Sequence, residues 1–277
     1  MPEYIVLHKR VGQTPLECAE TWRTAHPTYT NTPLTYAGRL DPMASGTLLV
    51  LVGEACKQKE TYLALDKEYI FEVLFTVRSD TGDVLGLIDS DTSTNNSKLD
   101  LELSSHQLKK VCETLVGEIE LPYPKFSSKT VQGKPLHTWT LEGRLHEITI
   151  PTKTSTIHVL QSIGVRTISI DELYKNVSEK IETIKTVTDP KKALGNDFRR
   201  PEVRDSWKTL YKARPQETYQ IATFRCVCSS GTYMRTLAEV IARELCTTGL
   251  AYSIHRTRIG IYHPLPLGLG FWYPSYR

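Results

Sequence analysis

Four short stretches carry side chains able to act on a substrate. Asp41 stands in "YAGRLDPMASGTLLVLVGEACK" (Tyr36–Lys57), in a small-residue turn after Arg39-Leu40 and directly before Pro42, ahead of an apolar run. An Asp with Pro behind it makes a sound helix start, and the same turn also suits the presentation of a carboxylate to a substrate. Tyr69 heads an alternating stretch, where aromatics are commonly core. Arg235 lies one turn into a helix that follows "SSGT". That helix end offers free N–H groups and the positive end of the dipole, so an Arg there faces solvent or is compensated; a carboxylate would serve, and Asp41 is one candidate. "IHRTRIG" (254–260) interleaves basic and apolar residues, which fits phosphate tracking and equally an ordinary strand. The chain contains no nucleotide-binding Gly-rich loop, HExxH or GxSxG.

The elements that must position these groups follow from periodicity. Tyr4–Leu7 is a short strand. Thr14-Pro15-Leu16-Glu17 is a capping box opening a helix to about Arg23, with Leu16, Ala19 and Trp22 inward. Leu48–Val52 is a buried strand. Tyr69, Phe71, Val73, Phe75 and Val77 alternate with Ile70, Glu72, Leu74 and Thr76, a strand of period two. Ser104–Val116 is an amphipathic helix stopped by Gly117, and Asp91–Lys98 is a loop. Leu121–Gly143 reads as an irregular, projecting element. From Arg166 to Pro215 the pattern loosens, and the fold resumes at Tyr219 with strand, tight turn at Gly231, and a helix burying Leu237, Val240, Ile241 and Leu245 and closed by Gly249. Strands and helices mix without regular βαβ order, which predicts an α+β fold.

A chain of 277 residues, 40% hydrophobic, can bury a substantial core. The net charge is only +3, yet between Lys191 and Arg214 eight Lys or Arg stand against three acids, so the remainder is slightly acidic. That segment is either a solvated basic loop or a polyanion contact. The six cysteines match neither a disulfide framework nor a zinc site, so reduced thiols are expected. Without a signal peptide or long apolar run, the expected location is cytoplasmic.

The Asp41 stretch resembles the signature of the TruB family of tRNA pseudouridine synthases, and the resemblance continues in order along the chain. "HKRVGQT" (8–14) is similar to the family's N-terminal Lys-containing strand-turn, with Arg10 where Pro is usual. "DKEYIFEVLFTVRSDTGDVLG" (66–86) resembles its Lys-x-Tyr strand and Thr-Asp-Thr-x-Asp-x-x-Gly turn, with Ser79 for the first Thr. "PYPKFSSKTVQGKPLHTWTLEG" (122–143) resembles the thumb-like segment that grips an RNA stem-loop. "SSGTYMRTLAEVI" (229–241) and "IHRTRIG" resemble its Gly-Thr-Tyr-x-Arg motif and following strand.

The resemblance implies a pseudouridine synthase fold with a mostly antiparallel central sheet. It implies a catalytic domain over 1–262, a thumb-like segment at 121–150, a basic insertion at about 166–216, and an aromatic tail at 263–277 with no C-terminal PUA domain. It makes Asp41 the catalytic aspartate, Tyr69 the aromatic that stacks on the target uracil and acts as base, and Arg235 the partner of Asp41. Ile254 becomes an apolar pocket wall, and Lys9, Tyr36, Lys129, Tyr233 and Arg256 RNA or pocket contacts. Tyr36 stands where His is common; it can stack but cannot become cationic. The implied substrate is the tRNA TΨC stem-loop at uridine 55, handled by a monomer without metal, cofactor or protein partner. Two alternatives stay open: another RNA as substrate, or a non-catalytic tRNA-binding or folding module. The basic insertion is expected to replace RNA contacts of the missing PUA domain, so that deleting Lys191–Arg214 would weaken tRNA binding and flatten its salt dependence.

Overall fold

Alternating apolar residues build one large sheet, and its register determines what lies beside what. The computed structural model describes residues 2–89, 103–185, 199–266 and 269–277; the loop expected at Asp91–Lys98, and Lys191 and Lys192, lie outside the described residues. The strands are β1 (Tyr4–Lys9), β2 (Leu34–Tyr36), β3 (Ala44–Val52), β4 (Asp66–Phe75), β5 (Gly117–Pro122), β8 (Thr152–Ser169), β9 (Thr218–Cys228), β10 (Gly249–Pro264) and β11 (Gly270–Tyr276). They run in the order β1-β3-β10-β4-β9-β8-β5, with β2 beside β3 and β11 beside β10. Every pairing is antiparallel except β10 with β3, where Ile254, His255 and Arg256 face Ala44, Ser45 and Gly46 in parallel. β6 (Thr130–Val131) and β7 (Lys134–Pro135) form a separate hairpin. The α+β architecture and the mostly antiparallel sheet are those expected.

The helices are α1 (Pro15–Ala25), α2 (Lys59–Leu63), α3 (Ser105–Leu115), α4 (Leu136–Leu141), α5 (Ile170–Thr183), α6 (Arg200–Ala213) and α7 (Met234–Glu244). The Thr14–Glu17 capping box opens α1 in both directions. Its inward stripe centres on Pro15, Cys18 and Ala19; Leu16, a hundred degrees round from Pro15, faces solvent rather than core. α3 stops at Val116, and Gly117 (φ 113°), next in line, already starts β5. Gly249 does not close α7. Cys246 takes the left-handed turn (φ 56°), and Gly249 already starts β10, where a Cβ would lie 2.7 Å from that of Ala242.

Two segments are more ordered than their sequences suggest. Residues 121–143 hold the β6–β7 hairpin under α4, with Leu136 and Trp139 buried and the Trp139 indole donating to the Val131 carbonyl (3.1 Å). The described residues of 166–216 are ordered elements: 166–169 finish β8, and α5 and α6 belong to this stretch. α5 buries Ile170, Leu173, Val177 and Ile181, and α6 buries Val203, Trp207 and Leu210, all in the main core with β4, β8 and β9. Three of the basic residues here have internal partners: Arg204 pairs with Glu182 (2.6 Å), Arg214 with Glu217 (3.1 Å) and Arg199 with Asp80 (2.6 Å). Deleting Lys191–Arg214 would therefore remove part of the core along with the charge, and charge-only substitutions are the sound test of RNA contact.

Trp207 is 1% exposed and its indole donates to the Val84 carbonyl (3.0 Å). Trp207→Ala should cost about 3–5 kcal/mol in urea unfolding, whereas Lys208→Ala, one residue on and exposed, should change stability by no more than about 0.5 kcal/mol.

Candidate active site

The loop between β2 and β3 is fixed by what its apolar residues bury. Ala37, Leu40 and Met43 point into the protein. Asp41 and Ala44 close a tight turn (Ala44 N to Asp41 O, 3.0 Å) with Pro42 at its second position, so Asp41 sits in a turn and caps no helix. The Gly12 amide donates to the Pro42 carbonyl (2.9 Å), and the Lys9 ammonium donates to the carbonyls of Arg10 (2.9 Å) and Ala44 (2.5 Å). Lys9 is 0% exposed. Lys9, expected as an RNA or pocket contact, does not line the cleft: its ammonium is held by backbone carbonyls beneath the Asp41 turn. Burial lowers this ammonium to about 8, with Asp41 working against the drop.

Asp41 and Arg235, 194 residues apart, meet: Arg235 Nε donates to Asp41 Oδ2 at 2.8 Å. The guanidinium also donates to the carbonyls of Thr81 (2.8 Å) and Phe126 (3.2 Å). Its side chain is 5% exposed and that of Asp41 is 39% exposed, so the acid is anchored by a buried cation and open to the cleft. Sequence reasoning missed a second acid here. Asp83 Oδ2 lies 3.7 Å from Arg235 Nε, while its Oδ1 accepts from the Thr81 hydroxyl (2.7 Å) and the Leu85 amide (2.9 Å). Burial raises the Asp83 carboxyl above its usual range, against the pull of Arg235. Burial also opposes the Arg235 charge, but Asp41 and Asp83 outweigh it and hold the guanidinium above its ordinary value. Asp83 lies in the "SDTGD" motif and could have been flagged from sequence; the Phe126 carbonyl could not, since no side-chain type marks it.

The sheet register assembles the rest. Tyr69 on β4 faces Arg256 on β10, and Arg256 faces Gly46 on β3. Gly46 is required there: at φ 111° any Cβ would come within 2.1 Å of the Arg256 carbonyl oxygen. Tyr69 and Ile254 are buried walls of a cleft of about 1290 Å³ whose lining includes Asp41, Tyr36, Tyr233, Arg235, Arg256 and Lys67. Burial pushes the Tyr69 phenol up to about 12 despite the Arg256 guanidinium beside it, so at neutral pH it is a phenol. Arg256 is wholly buried and donates to the carbonyls of Thr47 (2.8 Å) and Gly38 (3.2 Å). At the rim, Lys129 lies 5.1 Å over the Tyr123 ring, which meets Tyr233 edge-on at 5.6 Å. The site thus gathers Asp41, Tyr69, Arg235, Tyr36, Tyr233, Ile254 and Arg256 in one cleft, places Lys129 at its edge, and excludes Lys9. Among the described residues no group of three or more side chains has the makings of a metal centre.

Such a site offers an anchored carboxylate, apolar and aromatic walls, and cations beside them: equipment for acting on a nucleoside. A family model described as TruB family pseudouridylate synthase (N terminal domain) matches residues 28–181. The chain is 26% identical over 258 residues to the tRNA pseudouridine synthase B of Caldicellulosiruptor saccharolyticus, covering 93% of this chain and 67% of that protein. It is 27% identical over 262 residues to the Borreliella afzelii protein of the same name, covering 94% and 70%. A chain in the crystal structure of a Cbf5-Nop10-Gar1 complex shares the fold, with a TM-score of 0.51 at 15% identity over 93% of this chain and 48% of that one.

Two outcomes follow from these charges. Arg235→Leu should lower stability by about 3–5 kcal/mol, because Asp83 stays buried without its cation; adding Asp83→Asn should recover part of the loss in urea unfolding. Burial, with the Arg256 charge added, lowers Lys67 to about 8 from an ordinary 10.5. From about pH 8 to pH 10 the unfolded chain therefore keeps a proton that the folded chain has lost, and Lys67 makes stability rise with pH. Unfolding midpoints across that window should climb less steeply in Lys67→Met than in the native protein.

Proposed function

The chain belongs to the TruB family of pseudouridylate synthases, and we propose that it isomerises uridine 55 in the TΨC loop of tRNA to pseudouridine. The observation that carries this reading is the 2.8 Å Asp41–Arg235 pair at the edge of a slot walled by Tyr69 and Ile254.

The reaction breaks the C1′–N1 bond, turns the freed uracil, and joins C1′ to C5; the C5 proton leaves and N1 takes one up, so the composition is unchanged. Asp41 is the group that drives it, with one oxygen held by Arg235 and the carboxylate open to the incoming nucleoside. The target base must first leave its stack, at a cost of a few kcal/mol. Stacking on Tyr69 returns about 1–3 kcal/mol of that. Tyr69 enters as a phenol, and the Arg256 charge beside it favours the phenolate whenever the proton is passed on. Ile254 and Tyr69 keep the detached uracil in an apolar slot while it turns. Tyr36, Tyr233, Lys129 and the 121–150 unit take the RNA outside that slot. No helix among the described residues is long and apolar enough to cross a membrane; the reading places the protein with its substrate in the cytoplasm, acting without a partner protein.

Unmodified tRNA transcript tritiated at uracil C5, incubated with the purified chain alone, should release label. Asp41→Asn, whose side-chain oxygen still accepts from Arg235 Nε, should release none while binding the transcript within about threefold of the native protein, since it removes one charge at the cleft and no RNA anchor. RNA bound without release by the native chain would instead identify a binding module, and release from another RNA but not tRNA would move the substrate.

A further inference from the structure

The α5–α6 region does more than fill the core. Arg199, immediately before α6, holds a left-handed backbone (φ 59°), unfavourable for a residue with a Cβ. That conformation directs its guanidinium to two segments that share no backbone ladder. Its NH1 lies 2.6 Å from Asp80 Oδ2, and its centre lies 4.4 Å from the Phe126 ring. Both segments are the ones whose carbonyls hold Arg235: Thr81, next to Asp80, and Phe126 itself. Asp80 is a firm anchor, because its Oδ1 accepts from the Leu87 amide (2.8 Å) and its own amide donates to the Leu87 carbonyl (3.0 Å). The end of α5 serves the other half of the pair. The Thr183 carbonyl packs against Gly12, where a Cβ would approach within 2.4 Å, and the Gly12 amide holds Pro42 beside Asp41.

We propose that Arg199 is a positioning residue for the isomerase site: it ties the 79–83 turn to the 121–150 unit so that the Thr81 and Phe126 carbonyls hold Arg235, and through it Asp41, in register. The role rests on the isomerase reading above. Arginine suits it because one planar cation can pair with a carboxylate while lying over a ring; a lysine keeps the charge and loses the flat face. The effect is expected on rate more than on affinity, since a small displacement of a reacting group is costly in turnover.

The test compares the native chain with Arg199→Ala, Arg199→Lys and Asp80→Asn, using tritium release under single turnover at saturating tRNA transcript together with transcript Kd. Arg199→Ala should slow release roughly 10- to 100-fold with Kd changed less than about threefold; Arg199→Lys should fall between. Asp80→Asn should lose a similar factor, and the double variant should be no slower than the worse single, as coupled residues behave. Amide hydrogen exchange at 79–83 and 125–128 should quicken in Arg199→Ala whether or not the protein turns over. Native-like release from Arg199→Ala overturns the proposal, as does weakened Kd with the saturated rate intact, which would make Arg199 a plain RNA contact. Should the native chain release no label, the isomerase reading falls, and unchanged exchange at those amides would then overturn the tie on its own. If Arg199→Ala does not fold, Asp80→Asn and Arg199→Lys carry the same readouts.

Discussion

A guanidinium taken out of water costs several kcal/mol unless its charge and its N–H groups are met. Arg235 is buried to 5% exposure, and its needs organise the site. One carboxylate and two backbone carbonyls take its hydrogen bonds, and Asp83 stands by as a second negative charge. Each acceptor comes from a different stretch: the β2–β3 loop, the 79–83 turn, and the residues before the β6–β7 hairpin. Removing any one leaves a donor without a partner in a dry place, so these stretches are held to one arrangement. The rigidity of the carboxylate that faces the cleft follows from this.

The second constraint is geometric. β10 lies parallel to β3 over three residues and antiparallel to β4 along most of its length. This places Ile254 and Arg256 between the Asp41 turn and Tyr69, giving the slot an apolar wall, an aromatic wall and a buried cation from neighbouring strands. Strands fix such groups more closely than loops do, which suits a ring that must be released, turned and rejoined.

Much of this was legible in the sequence, and the parts that were not share a cause. Period-two apolar residues marked β4 and the Thr14–Glu17 box marked α1, because each signal is local, whereas Asp41, Tyr69 and Arg235 stood out through the resemblance of several motifs in order. The α5 apolar residues 170, 173, 177 and 181 were also local, yet the charges around them masked the pattern in a segment where Arg204 and Arg214 turn out to pair internally. The resemblance makes Lys9 an RNA or pocket contact; only the fold shows that two carbonyls claim its ammonium. The Phe126 carbonyl and the αL backbone of Arg199 have no signature in residue type, so they become visible only with the chain folded.

The parallel seam also has a bearing on assembly during synthesis. The Ser45 hydroxyl and the His255 ring that meet across it are 210 positions apart. Contacts of such separation close only after the chain between them has been made, and loop-closure entropy defers them further. A nascent polypeptide that has emerged only as far as α7 already carries its acid and its guanidinium, but the strand that seats between Ala44 and Tyr69 is still within the ribosome. The cleft is therefore complete only once β10 has emerged and taken its place between β3 and β4.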